Sequence, residues 1–377
     1  MGRFKMNIKR TGHPYWIYDT IMNCGNVLES WHHEKQQRKV EEIADVIAER
    51  KPAHIFLAGT GSSHLAALAQ CHAFNRIAGI PSSAWIASEL RTYPPPDFNE
   101  NAMLMLNTHS GKSPADALLV EQAKKRGVYT IGVTDIDETP FAEACDGLLI
   151  GQDGPKREFP STRTYSSAMY RTLLVAVAYA GKTGSIGTIE KYSNILRQLP
   201  VKMTEFLKGF DATAKSTVES FTDVTAYFVV GSGPNLATVH EGAMGLTQGT
   251  GKPAAGYHVD EYMHGPVQSL GVGHCVVAVA PPGPFQDKIG GFARSARRIG
   301  AKVLIIAPEG GGVLEAGDVG IAMPDGIPEE ITPVLYCAPF WLLGYYFSLF
   351  FDLDPDNLSM DKENFKTSGL AELKKLV

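Results

Sequence analysis

The chain has 377 residues, 44% of them hydrophobic, with 35 Lys and Arg against 40 Asp and Glu. That length and apolar content suit two domains of ordinary size and exclude global disorder. The formal net charge of −5 leaves no electrostatic footprint for nucleic acid or an anionic membrane, which points to small-molecule chemistry.

From the start of the chain, Met1 to Arg10 is basic but runs into Thr11-Gly12-His13-Pro14 rather than an apolar stretch, so it does not read as a signal peptide. Residues 1–35 are expected to be an extension ahead of the first domain, which is placed at 36–185. The five cysteines, Cys24, Cys71, Cys145, Cys275 and Cys337, are odd in number and scattered. They suggest neither a disulfide framework nor a metal site, and a reducing, cytoplasmic setting fits them. No cofactor is expected.

His54 to Gly59 reads as a buried strand entering the turn Gly59-Thr60-Gly61-Ser62-Ser63, and Ala102 to Leu106 and Val128 to Val133 are further apolar runs. The same order returns about 172 residues later. Ala226 to Gly231 enters Ser232-Gly233-Pro234-Asn235, followed by Cys275 to Ala280 and Lys302 to Ala307. Each half is therefore predicted as strand, helix, strand, helix, strand. Continuous apolar runs separated by helical patterns indicate parallel strands covered on both faces, an α/β doubly wound sheet in each half. The pattern GxGxxG fails at His64 and Leu236, so the turns are weak evidence for a dinucleotide.

In such sheets ligands bind beyond the carboxyl ends of the strands, where loops meet helix N-termini. The loop Asn107-Thr108-His109-Ser110-Gly111-Lys112-Ser113 offers three hydroxyls beside free backbone N–H groups, a cradle suited to a phosphate monoester. An ordinary turn and helix cap would use the same residues. The matching loop of the second half, Ala280-Pro281-Pro282-Gly283-Pro284, has no hydroxyl. Anion binding is accordingly expected in the first half alone, at Ser62, Ser63, Thr108, His109, Ser110 and Ser113.

Between the halves, Thr183 to Asp211 carries helical periodicity, and a linker is placed at 186–210, a second domain at 211–352 and a tail at 353–377. Ile331 to Phe351 has no charged residue and is long enough to span a bilayer, but Pro333 and Pro339 interrupt it and no basic cluster flanks it. It is predicted as a buried helix whose aromatic surface suits a domain or subunit interface, favouring a homodimer.

Glu261-Tyr262-Met263-His264-Gly265-Pro266 is similar to the Glu-x-x-His-Gly-Pro signature of the sugar isomerase (SIS) family. Thr108 to Ser113 resembles that family's phosphate loop. Ser161-Thr162-Arg163-Thr164 resembles its Ser/Thr-Lys segment opening a helix near the sugar, and Asn364-Phe365-Lys366 its C-terminal lysine tail. The resemblance covers roughly residues 30–370 and is to the double-domain branch, with the isomerase half of glucosamine-6-phosphate synthase and the fructosamine-6-phosphate deglycases. It implies two tandem flavodoxin-like SIS domains and a sugar-phosphate site including Gly61, Ser62, Ser63, Ser161, Thr162 and Glu261. It also implies that His264 opens the sugar ring, reaching into a neighbouring subunit's site, and that Lys366 joins from the tail.

The family carries a proton-transfer glutamate sixteen residues before the signature histidine, and Gln248 stands there. A carboxamide cannot accept a proton from carbon as a carboxylate does. An inactivated variant, another carboxylate as base, and binding without this chemistry are all open. Glu241, seven residues earlier and two helical turns along the same face, is the first alternative base, although the resemblance places a glutamate there in its own right. A lysine of the synthase's helix is Gly245 here, which leaves room for a bulkier N-substituted sugar. The expected activity is a deglycase acting on a ketosamine, an Amadori compound, phosphorylated at C6. An amino-sugar-phosphate isomerase or deaminase and a non-catalytic phosphosugar-binding protein are the alternatives.

Overall fold

Two all-parallel five-stranded sheets organise the computed structural model of the chain, which describes residues 10–151, 162–184, 186–357 and 363–370. The first contains β1 (His54–Gly59), β2 (Ser82–Ile86), β3 (Ala102–Asn107), β4 (Tyr129–Thr134) and β5 (Gly147–Ile150), in the order β2-β1-β3-β4-β5. The second contains β6 (Ala226–Gly231), β7 (Ala254–His258), β8 (His274–Val279), β9 (Lys302–Pro308) and β10 (Val319–Met323), in the order β10-β9-β8-β6-β7. Counted within each half, the two orders are the same doubly wound arrangement. The repeat extends to register: His54 faces Ala102 and Ile55 faces Ser82, while Ala226 faces His274 and Tyr227 faces Ala254.

The expectation of three strands per half is corrected to five. The predicted runs are β1, β3, β4 and β6, β8, β9, the interior of each sheet, where helices on both faces demand continuous apolar sequence. The missed strands are the outermost ones. In β2 and β7 every residue is half-buried or exposed, and β10 alternates buried and more accessible residues. A strand at a sheet edge lacks cover on one side, so its sequence need not be apolar throughout.

A helix from Ile186 to Glu219 joins the halves, and it runs further than the predicted Thr183 to Asp211. The apolar stretch near the end forms two helices, Thr332–Tyr336 and Ala338–Phe350. Pro333 and Pro339 each sit in a first turn, where a missing N–H costs no helical bond. Although Thr332–Phe350 is long and apolar enough to cross a membrane, 78% of its apolar stretch is buried inside the protein. It packs on the Leu236–Thr250 and Ile186–Glu219 helices. Phe340, Trp341, Leu342, Leu343, Tyr345 and Phe347 are buried within the chain, as the expected buried helix at a domain interface requires, while Phe350 is 52% exposed.

Residues ahead of the first sheet contribute to the same core. Ile17, Ile21, Leu28 and Trp31 are buried in it. The helix Trp16–Met22 is fastened at its start by Asp356, whose carboxylate accepts from the backbone N–H groups of Trp16 (3.1 Å) and Ile17 (2.8 Å). A carboxylate there satisfies helix donors that have no partner within the helix and complements its dipole.

Burial also sets an acid limit on stability. His32, His54, His64, His72 and His240 are all held below the ordinary imidazole value of 6.5, in each case chiefly because burial disfavours the imidazolium. The unfolded chain then binds more protons than the folded one as pH falls through 6.5, so stability is fully present above that value and is lost below it. Asp116 and Glu329, raised by burial, act in the opposite sense but are two against five. The melting temperature is expected to fall between about pH 7.5 and about pH 5.5, as scanning calorimetry would read; a flat or rising profile would refute it.

Candidate active site

At the topological switch point between β1 and β3, the loops leaving the strands open a narrow cleft. A Cβ on Gly59 would lie 2.5 Å from the Ser63 carbonyl carbon, and Gly61 has φ +59°, so the turn requires glycine at both positions. That turn starts the Ser62–Ala73 helix and places its first N–H groups at the cleft. Ser62, Ser63, Asn107, Thr108 and His109 line the cleft, faced by Thr164 and Tyr165 of the Arg163–Lys182 helix. Asn107 is held by a reciprocal amide pair with Gln70, at 3.1 and 2.8 Å.

The wall behind His109 is an ion network that sequence reasoning missed. His109 Nδ1 lies 2.9 Å from Asp135 Oδ2, and Asp135 Oδ1 accepts from Arg171 Nη1, also at 2.9 Å. The Asp135 and Arg171 side chains are each 1% exposed. A Cβ on Gly151 would come within 2.1 Å of Asp135 and 2.5 Å of Arg171, so the glycine makes room for the pair. Asp135 directly follows β4, a strand end where such folds place ligands, and that was the available signal. Buried Asp116 lies in the first turn of the Pro114–Lys125 helix that follows the loop after β3. Burial raises its carboxyl above the usual range, and a hydrogen bond from Thr108 partly offsets this.

A second narrow cavity lies where the halves meet. Glu241, Gly245 and Gln248 of the Leu236–Thr250 helix line it together with Thr162, Ile17, Trp341 and Tyr345. Glu241 is buried, and its Oε1 accepts from Ser62 Oγ at 3.1 Å. This bond links the Leu236–Thr250 helix of the second half to the glycine turn of the first. Burial, followed by the charge of Glu241, holds the Tyr165 hydroxyl well above the usual tyrosine range.

The structure thus brings together Ser62, Ser63, Thr108, His109, Thr162, Glu241 and Gln248 at two neighbouring cavities. Gly61 shapes the turn without lining either one, because its missing side chain faces open space. Ser110 accepts from Lys112 N (3.4 Å), and Ser113 stands at the N-cap position of the Pro114–Lys125 helix without a side-chain capping bond; neither lines the cleft. Glu261 and His264 are exposed at the end of the short helix Val259–Met263, with His264 Nδ1 2.7 Å from the Asp260 carbonyl oxygen. Lys366 is exposed on the helix Glu363–Lys366. None of these three lines the cavities of its own chain. Ser161 lies outside the described residues.

In the second half, the turn equivalent to Gly59–Ser63 is already filled. The Glu329 carboxyl reaches within 2.9 Å of a Cβ placed on Gly233 and 2.7 Å of one placed on Gly283. A carboxyl between the two loops opposes an incoming anion on steric grounds, and on charge grounds when ionised.

Residues 47–178 match the family model described as SIS domain. The chain is 29% identical over 319 residues to the glutamine–fructose-6-phosphate aminotransferase (isomerizing) of Methanothermobacter thermautotrophicus, covering 84% of this chain and 51% of that protein. It spans about half the length of the curated relatives it matches. Among solved structures, the C-terminal domain of glucosamine-fructose-6-phosphate aminotransferase from Francisella tularensis superposes with a TM-score of 0.81 at 19% identity, covering 92% of this chain and 98% of that one. Tagatose-6-phosphate ketose/aldose isomerase from Escherichia coli gives 0.80 at 18%, covering 92% and 95%.

Proposed function

Because this chain carries a SIS domain at residues 47–178, we propose that it binds a ketosamine 6-phosphate and releases the amine by proton transfer between C1 and C2. The observation that carries this reading is the 3.1 Å bond from Ser62 to Glu241, because it puts an anion cradle and a cavity with acid/base-type residues side by side. The phosphate takes the first-half cleft, where helix N–H groups and hydroxyls converge. C1 and C2 then lie toward Glu241 and Gln248. Removal of a proton from C1 forms an enaminol; its reprotonation at C2 leaves an iminium at C1; water adds there, and the amine departs to leave the aldose phosphate. The relatives that act on, or are named for, phosphorylated ketoses support a ketose 6-phosphate as the sugar.

In this reading Gln248 occupies the base position without a group that can accept the proton, so the C1 proton passes to water and turnover is slow, while Glu241 is held by Ser62 as a positioning carboxylate. Exposed His264 acts in the site of a second copy, which makes the working unit a homodimer. A second reading, phosphosugar binding with no turnover, is favoured by Gln248 alone, since a carboxamide cannot serve as the base.

The test is free-amine release from a panel of ketosamines and their 6-phosphates. No binding and no release across the panel would reject the proposal, whereas binding without release would support the second reading. Within that panel, Ser63→Ala is expected to weaken phosphorylated ligands by about 1.5–3 kcal/mol, the range for a hydrogen bond to a charged group, and to leave unphosphorylated ketosamines unaffected. Equal losses for both, measured by titration calorimetry, would place the anion elsewhere.

A further inference from the structure

Trp341, which with Ile17 and Phe340 forms the apolar side of the cavity shared by Glu241 and Gln248, carries a buried hydrogen-bond donor without an acceptor. Trp341 is 7% exposed, and its indole Nε1–H has no acceptor among the described residues. Burial without an acceptor is unfavourable for such a group, and neighbouring side chains do not relieve it. The Tyr345 hydroxyl is engaged by His13 Nδ1 (2.7 Å) and Tyr15 N (3.3 Å), and the Ser348 hydroxyl donates to the Gly344 carbonyl at 2.9 Å. Gly245 leaves the space open, since a Cβ there would meet only the Phe340 carbonyl oxygen, at 4.0 Å. Ile17, on the helix fastened by Asp356, also lines the cavity.

We propose that this cavity seats the amine substituent of the substrate and selects a short, uncharged, apolar group bearing one hydrogen-bond acceptor for Trp341. The proposal rests on the deglycase reading and names its substrate class. A carboxylate on the substituent would be desolvated beside Glu241 and repelled by it. A cationic group would be drawn to Glu241 but would bring further donors to Trp341, which needs an acceptor. An apolar amide or ether satisfies the indole and matches the wall.

The test compares ketosamine 6-phosphates made from valinamide, isobutylamine, aspartate and putrescine, by calorimetric titration against fructose 6-phosphate. Valinamide and isobutylamine share a carbon skeleton and differ by the acceptor-bearing carboxamide. Valinamide is expected to bind at least about tenfold more tightly than aspartate or putrescine, within the range a few pocket contacts provide, with isobutylamine between them. Trp341→Phe is expected to bring valinamide to the isobutylamine level with fructose 6-phosphate unchanged. Gly245→Leu, which fills the cavity from a position with room for a Cβ, is expected to remove the preference altogether. Equal affinity for all four compounds, tighter binding of aspartate or putrescine, or an unchanged preference in both variants would overturn the assignment and leave the deglycase reading standing. Binding of fructose 6-phosphate without any ketosamine, or of no compound at all, would overturn both.

Discussion

Gln248→Glu is expected to accelerate amine release from a ketosamine 6-phosphate by about 10²- to 10⁴-fold, the usual contribution of a positioned general base, with little change in binding. Gln and Glu are nearly the same shape, so the helix and cavity should accept the change. Gln248 shares that cavity with Glu241, and a new carboxylate there would couple to the existing one, raising the proton affinity of one member of the pair. A rate rising with pH over a broad range would be the signature of that coupling. If Glu241 is instead the base, Gln248→Glu depresses the rate and Glu241→Gln abolishes it, and steady-state measurements on the two variants separate the cases. A Gln248→Glu variant inactive on every ketosamine, beside an unmodified protein already fast on another sugar phosphate, would defeat the deglycase reading.

Arg171→Met is expected to cost about 3–5 kcal/mol of stability, the range for breaking a buried ion pair by removing one partner. The Asp135 and Arg171 side chains are each 1% exposed, so the carboxylate loses a buried cation with little access to water, while His109 stays beside it. The double variant Asp135→Asn with Arg171→Met should recover part of the loss, because it removes the stranded charge. Urea denaturation reads both effects as shifts in midpoint. An Arg171→Met midpoint equal to that of the unmodified protein would show that the pair is not supporting the cleft wall.

The interior strands, the glycine turn after β1 and the hydroxyl-bearing loop after β3 were legible in the sequence because each is a local pattern. An apolar run buried on both faces, a turn needing positive φ at Gly61 and a loop ending at the helix start Ser113 are each set by a few consecutive residues. The outer strands β2, β5, β7 and β10 were not legible. Half of their environment is solvent or loop, and no hydrophobic period survives in four or five residues.

The resemblance picked out Glu241 and Gln248, but it could not say what touches them. Their relation to the first-half cleft is decided by helix packing across the halves, which brings Ser62 to Glu241 over 179 residues of chain. The pairing of Asp135 with Arg171 and the seating of Ile17 beside Trp341 depend on the same packing. Sequence by itself determined the repeated α/β architecture and the residue types available at each strand end, since these follow from periodicity and backbone conformation. Only the tertiary structure decided which of those residues share a cavity, which charge neutralises which, and that Glu329 fills the second half's turn, because each is a contact between segments that no local pattern connects.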